Sequence, residues 1–506
     1  MRKPPARPPG LDHGIVVVGA GFAGIGMAMR LKQAGIDDFV LLEKDSDLGG
    51  TWRDNTYPGC ACDVPSYLYS FSFEPYPHWS RMFAPAEEIW GYLRHCVDTH
   101  GLASHIRYRS EVTGARFDES TGTWDVEIAG GGSLRCRVLI LGPGALHVSA
   151  VPALPGLQDF AGTTLHSARW DHEHDLTGRR VAVIGTGASS IQLVPQIAGR
   201  VAHLTVFQRT PPWITPKWDR RIGERERRLH ARTPIAQRAI RDLLYWVLEA
   251  RGTGFAVSPR AMKPIERAAR RHLAHQVADP VLRAKLTPDY QIGCKRILLS
   301  NDYYPSLQRD NVELVTEPVA RVRRDGIVTR DGVEHPVDTI IFGTGFRVAA
   351  NLTALKLVGR GGEDLAGVWA REGAGAHLGM TVAGFPNLFL LVGPNTGLGH
   401  ASMVFMIEAQ VRYILQALRI IRHEDVRYLD VRPRIQRAFV DRVQGRLTGS
   451  VWQSGCLSWY LDARGRNVTI WPDYTWRYWL ATRRLRRSDF HIARRVAGSA
   501  QRSEPV

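Results

Sequence analysis

Residues 15–18 are four consecutive β-branched side chains, Ile15, Val16, Val17 and Val18. Such a run predicts a short strand buried on both faces. Gly19-Ala20-Gly21-Phe22-Ala23-Gly24 follows, then apolar residues at helical spacing to about residue 34, where Gly35 stops the helix. A second apolar run, 39–42, ends in Glu43. Strand, glycine turn, helix and strand make one unit, and the unit recurs. Residues 181–184 predict a strand, Gly185-Thr186-Gly187-Ala188-Ser189-Ser190 the turn, and a helix runs to about 197. A strand over 204–207 then leads into Gln208-Arg209-Thr210.

Superposing the two units puts Gly19 on Gly185, Gly21 on Gly187, Gly24 on Ser190 and Glu43 on Arg209. In this pattern the first glycine makes the tight turn and the second lets backbone approach a pyrophosphate. The third position packs helix against strand, and the helix N-terminus holds phosphate. The last pair is the chemical difference. A carboxylate such as Glu43 suits a free ribose diol, whereas Arg209 suits a 2′-phosphate. The first site is therefore expected to take FAD and the second NADPH.

Three further buried runs end in glycine turns: 137–141 before Gly142-Pro143-Gly144, 338–342 before Gly343-Thr344-Gly345, and 387–392 before Gly393-Pro394-Asn395. Such turns bring backbone close to a cofactor. Residues 403–421 have helical apolar periodicity. From 218 to 283 the chain is dense in Arg, Glu and Ala, with prolines at 234, 259, 264 and 280, which predicts a helical insertion. The expected fold is α/β, with two Rossmann-like dinucleotide-binding domains and a helical insertion in the second. The FAD domain would comprise 1–145 and, with the C-terminal loop region, 381–506. The NADPH domain would span 150–380, with the insertion at about 213–292.

Composition changes this picture little. The 506 residues are 44% hydrophobic, enough for more than one core. The formal net charge is +17, and of 66 basic residues only eight are lysine, which argues for compositional bias over a designed nucleic-acid surface. Aromatic and basic residues are not clearly interleaved on one face, so no nucleic-acid partner is expected. Six cysteines without a CxxC pair exclude a disulfide scaffold, a Cys-rich zinc site or a thioredoxin-like centre, and no metal is expected. The apolar stretch after the basic first ten residues is too short for a span and contains the glycine turn. A cytoplasmic protein without stable membrane insertion is expected. The tail at 483–495 carries six arginines and reads as a surface helix or a frayed terminus.

Phe160-Ala161-Gly162-Thr163-Thr164-Leu165-His166-Ser167-Ala168-Arg169-Trp170-Asp171 precedes the second glycine motif. It resembles the FxGxxxHxxxW-P/D fingerprint of the type I Baeyer–Villiger monooxygenases, which are class B flavoprotein monooxygenases. Gly49-Gly50-Thr51-Trp52, Tyr57-Pro58-Gly59 before Cys62-Asp63, Gly293-Cys294-Lys295-Arg296 and Ser458-Trp459-Tyr460-Leu461 extend the resemblance over nearly the whole chain. It implies NADPH- and O2-dependent conversion of a lipophilic ketone to an ester or lactone through a C4a-peroxyflavin, in a monomer or homodimer. A related N- or S-monooxygenase using the same peroxyflavin is the alternative. The resemblance further implies that Arg296 is the catalytic arginine and Asp63 its carboxylate partner. Lys295 would join Arg209 and Thr210 at the 2′-phosphate, and Gly50, Thr51, Trp52, Gly345 and Asn395 would lie at the cofactors. His166 and Trp170 would link the domains. Trp459 would belong to a loop closing over the nicotinamide, or else to the core.

Overall fold

The structure is a computed structural model and describes residues 10–348, 350–423, 426–456, 458–462 and 464–495. The strand His13–Val18 lies between Phe39–Leu42 and Gly132–Leu141, parallel to both, with Val16 opposite Val40 and Leu139. Burial on both faces explains its unbroken β-branched sequence: Val16 and Val17 have no exposed surface. The sheet continues through Ile106–Arg107 on one side. On the other, antiparallel Thr123–Ile128 and Val112–Asp118 lead to Lys356–Val358. Leu388–Leu390 also pairs with Gly132–Leu141, so the chain returns to the first sheet after completing the second.

The second sheet has five parallel strands in the order Val312–Val315, His203–Phe207, Arg180–Ile184, Thr339–Phe342, Thr163–His166. Both are doubly wound Rossmann-like sheets, each with its glycine turn at the carboxyl end of a central strand. Ligands of such sheets bind at that end.

Four helices, Glu224–Arg232, Pro234–Ala256, Lys263–Gln276 and Pro280–Lys285, form the insertion between the paired strands Ile214–Thr215 and Leu298–Leu299. Pro234, Pro264 and Pro280 occupy first turns of these helices, where a missing N–H costs nothing, so they start helices and do not break them. Met403–His423 packs against Phe22–Gln33 and Thr475–Thr482. No helix among the described residues is long and apolar enough to cross a membrane.

Two features differ from the sequence reading. The arginine-rich tail is neither a surface helix nor frayed over its described length: after one short helical turn, Arg487–Asp489, Phe490–Arg494 pairs antiparallel with Val426–Val431. Phe490 and Ala493 are buried there and anchor the strand, while Arg494 faces out. A disulfide also joins Cys294 to Cys456, across 162 residues of sequence. It is a single cross-link in a large fold, not a scaffold, and it fastens the segment before Arg296 to the segment before Trp459.

Candidate active site

The two glycine turns are built alike. Gly19 and Gly185 have φ of +94° and +107°, and a Cβ on either would lie 2.5 Å and 2.6 Å from the carbonyl oxygens of Gly142 and Gly343. Gly21 and Gly187 face open space, their nearest neighbours at 4.0 Å and 3.8 Å, leaving room for a pyrophosphate. At the third position the halves diverge. A Cβ at Gly24 would stand 1.9 Å from the Gly19 carbonyl oxygen. Ser190 fits in the second half, fully buried, with its Oγ lacking a hydrogen-bond partner. It fits because residue 343 is glycine: a Cβ there would lie 2.0 Å from Ser190 Oγ. Gly343→Ala is therefore expected to cost about 1–3 kcal/mol by overpacking. Adding Ser190→Gly should recover most of that loss, measured by denaturant unfolding.

Glu43 is buried, with Oε2 accepting from the Ala20 N–H at 2.8 Å and Oε1 accepting from the Asp45 N–H at 3.1 Å. A carboxylate has about four acceptor sites, so capacity for a ribose hydroxyl remains. Gly49 and Gly50, both at positive φ, turn the chain beneath Gly21. Thr51 starts the short helix that follows, and the Trp52 indole N–H donates to the Tyr69 hydroxyl at 3.2 Å. These donors and cradles fit a dinucleotide with a free ribose.

In the second half the Thr186 hydroxyl donates to the Thr210 carbonyl at 3.0 Å, tying the turn to the segment that carries Arg209. Arg209 is exposed and has no carboxylate partner among the described residues. Lys295 lies near it, its ammonium 4.7 Å from the Tyr290 ring centre. Burial and the Arg209 charge pull the Lys295 pKa below that of an ordinary lysine, with Asp289 opposing. Two neighbouring cations without a full counter-charge fit a dianion such as a 2′-phosphate.

Arg296 and Asp63 come from opposite halves, 233 residues apart, and meet in a two-pronged ion pair. Arg296 Nε donates to Oδ2 at 2.5 Å and Nη2 to Oδ1 at 2.6 Å. Nη1 lies 3.5 Å from the Leu398 carbonyl. Burial pushes the Asp63 carboxyl up, but the charge and hydrogen bonds of Arg296 outweigh it, and its pKa lies below the usual carboxylate range. Asp63 in turn holds the guanidinium protonated. Of five guanidinium N–H groups two are fixed by Asp63, which leaves Nη1 and one N–H of Nη2 to bind elsewhere.

The loop carrying Asp63 is pinned to the second half. Tyr57 donates to Gln192 Oε1 at 2.8 Å, and Gln192 Nε2 donates back to the Ala61 carbonyl at 2.9 Å. Gly59, at φ +83°, passes so close that a Cβ would sit 2.7 Å from the Gln192 carbonyl. Ser189, on the same helix as Gln192, Ala188–Ile197, lies beside Tyr57. Trp170 packs against the core of the second half, the same cluster that takes in Tyr57 and Cys60.

The remaining predicted residues separate into distinct surroundings. Gly162 is required by backbone proximity, since a Cβ would meet the Asp338 carbonyl at 2.2 Å and the Phe160 ring at 2.6 Å. His166 ends the edge strand, its Nδ1 accepting from the Ala168 N–H at 3.1 Å, so the proton sits on Nε2. Burial lowers its pKa, keeping the ring neutral near pH 7. Asp171 accepts from the Glu173 N–H at 3.0 Å and shapes a turn on the surface. Asn395, at φ +56°, gives both amide hydrogens to the carbonyls of Asn467 and Ile470, at 2.9 and 3.1 Å. Its side chain therefore fastens the C-terminal segment. Gly345 has φ +82° and open space around it. Trp459 is 48% exposed and packs edge-on against buried Tyr460.

Two residues join the site that sequence reasoning did not single out. Lys217 is largely buried near Asp63, and its pKa is depressed by burial despite Asp219 at 3.9 Å. Tyr460 is buried close enough to feel both Arg296 and Asp63, its pKa pushed up to about 12 by burial. Lys217 belongs to no short motif, Tyr460 stands in one where only Trp459 was given a role, and only the folded chain brings them together.

An NAD(P)-binding Rossmann-like domain model matches residues 17–86. The chain is 48% identical to a Baeyer–Villiger monooxygenase of Pseudomonas aeruginosa, over 94% of this chain and 91% of the relative. It is 47% identical to another from Streptomyces coelicolor, over 95% and 92%. The chain belongs to the Baeyer–Villiger monooxygenase family. It is accordingly an FAD-containing, NADPH-dependent enzyme that uses O2 to convert a ketone to an ester or lactone. Solved structures of monooxygenases agree in fold over nearly the full length. An oxidized steroid monooxygenase bound to NADP superposes with a TM-score of 0.85 at 31% identity, covering 95% of this chain and 99% of that one. For a cyclohexanone monooxygenase from Rhodococcus sp. Phi1 bound to NADP+ the values are 0.86, 27%, 96% and 99%.

Proposed function

We propose that Arg296, oriented by Asp63, is the group that acts on the reacting ketone. The supporting observation is the two-pronged ion pair, which fixes the guanidinium plane and leaves three N–H donors uncommitted to carboxylate. Bound FAD, reduced by NADPH, supplies the activated oxygen. The chain's own residues bind, orient and carry charge. The free N–H groups of Arg296 stabilise negative charge as it develops on the former carbonyl oxygen, where a fixed guanidinium needs no reorganisation. Asp63 positions Arg296, and its low pKa keeps the pair ionised over the neutral range. Lys217 adds a second positive charge behind the carboxylate.

In this reading Gly19, Gly21, Gly24 and Glu43 hold FAD, and Gly50, Thr51 and Trp52 line the flavin side. Gly185, Thr186, Gly187, Ser189 and Ser190 cradle the NADPH pyrophosphate, while Arg209, Thr210 and Lys295 take its 2′-phosphate. Neutral His166 and packed Trp170 keep the two halves in register, and exposed Trp459 covers the nicotinamide. The FAD domain is made of residues 1–145 and 381–506 together with the strand Lys356–Val358, which joins the first sheet although the sequence reading assigned it to the second domain; the NADPH domain keeps the sheet that ends at Thr339–Phe342.

The proton on Lys295 gives a pH test. A protonated ammonium binds phosphate, and its pKa in the free enzyme is depressed. NADPH affinity should therefore fall as pH rises through that lowered pKa, below the range of an ordinary lysine. In Lys295→Arg the fall should disappear, because guanidinium does not titrate there. An unchanged pH profile of KM for NADPH in that variant would refute the assignment.

A further inference from the structure

Helix Pro234–Ala256 presents Ile235, Ala239, Leu243, Trp246, Val247 and Ala250 to solvent, at the spacing of one helical stripe. Leu243 is 64% exposed and Trp246 59%. The opposite side is committed to the fold, with Gln237 and Glu249 buried. A solvent stripe on which only Arg238 and Asp242 interrupt these apolar residues is the reverse of what a free surface helix carries, and large exposed apolar patches mark interaction sites. The patch extends sideways. Trp246 and Trp479 line one cleft of about 570 Å³ together with Arg30, Arg241 and Arg412. Leu480, on the neighbouring helix Thr475–Thr482, is 51% exposed.

Charge identifies the partner. Arg412 and Arg483 lie 4.5 Å and 5.4 Å from the centre of the Trp479 ring, and Arg30 lies 5.0 Å from that of Phe73. Arg30, Arg238, Arg412 and Arg483 have no carboxylate partner among the described residues. Glu408, also in the cleft, is held by Ser72 and Arg241, so Asp242 is the one carboxylate on the exposed stripe. Tryptophan and leucine bordered by unpaired arginine form the composition of a helix lying in a headgroup layer. A second copy of the chain fits less well, because both copies would bring net charge +17 and the same basic face together.

We propose that this face docks on an anionic phospholipid surface, with the stripe of helix Pro234–Ala256 inserted and the flanking arginines on headgroup phosphates. Docking places the enzyme where lipophilic ketones concentrate, without a membrane-spanning segment.

Vesicle co-sedimentation of the FAD-loaded enzyme tests this. Vesicles containing phosphatidylglycerol should carry it down at low salt and release it at high salt, and vesicles of phosphatidylcholine alone should bind it at least about tenfold more weakly. Leu243→Ser with Trp246→Ser leaves charge unchanged and should weaken phosphatidylglycerol binding by about tenfold or more. Its ester formation from a water-soluble ketone should match the parent. Arg238→Glu with Arg483→Glu should weaken binding independently. Absence of binding to phosphatidylglycerol at low salt would overturn the proposal. Binding unaltered by Leu243→Ser with Trp246→Ser would do so too, since net charge alone would then suffice. A dimer seen by light scattering and lost in that variant would assign the face to a second copy instead.

Discussion

Arg296→Ala should abolish ester formation while NADPH continues to be consumed. The substitution removes every guanidinium donor from the point where Asp63 now holds it. Loss of one preorganised donor to a developing oxyanion costs about 3–4 kcal/mol, a factor of about 10²–10³ in kcat. Removal of Arg296 should cost at least that. The proposed NADPH contacts lie on Arg209, Thr210 and Lys295, so hydride delivery survives and its electrons pass to O2, giving hydrogen peroxide. The ratio of ester to NADPH, followed by gas chromatography and absorbance, should collapse as peroxide rises. Arg296→Lys should fall between, since an ammonium keeps the charge and loses the two-pronged geometry. An unchanged ester yield in Arg296→Ala would remove the residue from the mechanism.

Arg209→Ala should raise KM for NADPH by about 10–100-fold, the worth of one charged hydrogen bond of about 1.5–3 kcal/mol. The KM for NADH should change little, because the 2′-phosphate is the only group that distinguishes the two. The same substitution relieves Lys295 of a neighbouring positive charge, so the Lys295 pKa should rise and the pH profile of NADPH binding should move upward with it. Equal effects on both nucleotides would contradict the phosphate assignment.

The Rossmann-like units were legible because their chemistry is local. Gly19 and Gly185 show in sequence as turn glycines, and the structure gives the reason, a carbonyl oxygen within 2.6 Å of where a Cβ would be. Glu43 and Arg209 were readable by position in the repeat. The pairing of Arg296 with Asp63 was not contained in any spacing; with 58 arginines in the chain, only family resemblance pointed to this one. Ser190 stands in the repeat where the first unit has Gly24, and only the fold shows that Gly343 leaves the room it needs. Cys294 and Cys456 likewise become a pair only in the fold. In the tail, arginine content masked the buried Phe490 and Ala493 that make residues 490–494 a strand. The net charge read as background acquires a direction once Arg30, Arg238, Arg412 and Arg483 are found without carboxylates around one apolar face.

Oxygen insertion beside a ketone carbonyl under the control of Arg296 is read most directly by mass spectrometry of the product formed from a ketone, NADPH and isotopically heavy O2. An ester or lactone should carry one heavy oxygen atom per NADPH coupled, and none should form with Arg296→Ala. Labelled sulfoxide or N-oxide from sulfides and amines, with no ester from any ketone, would contradict it.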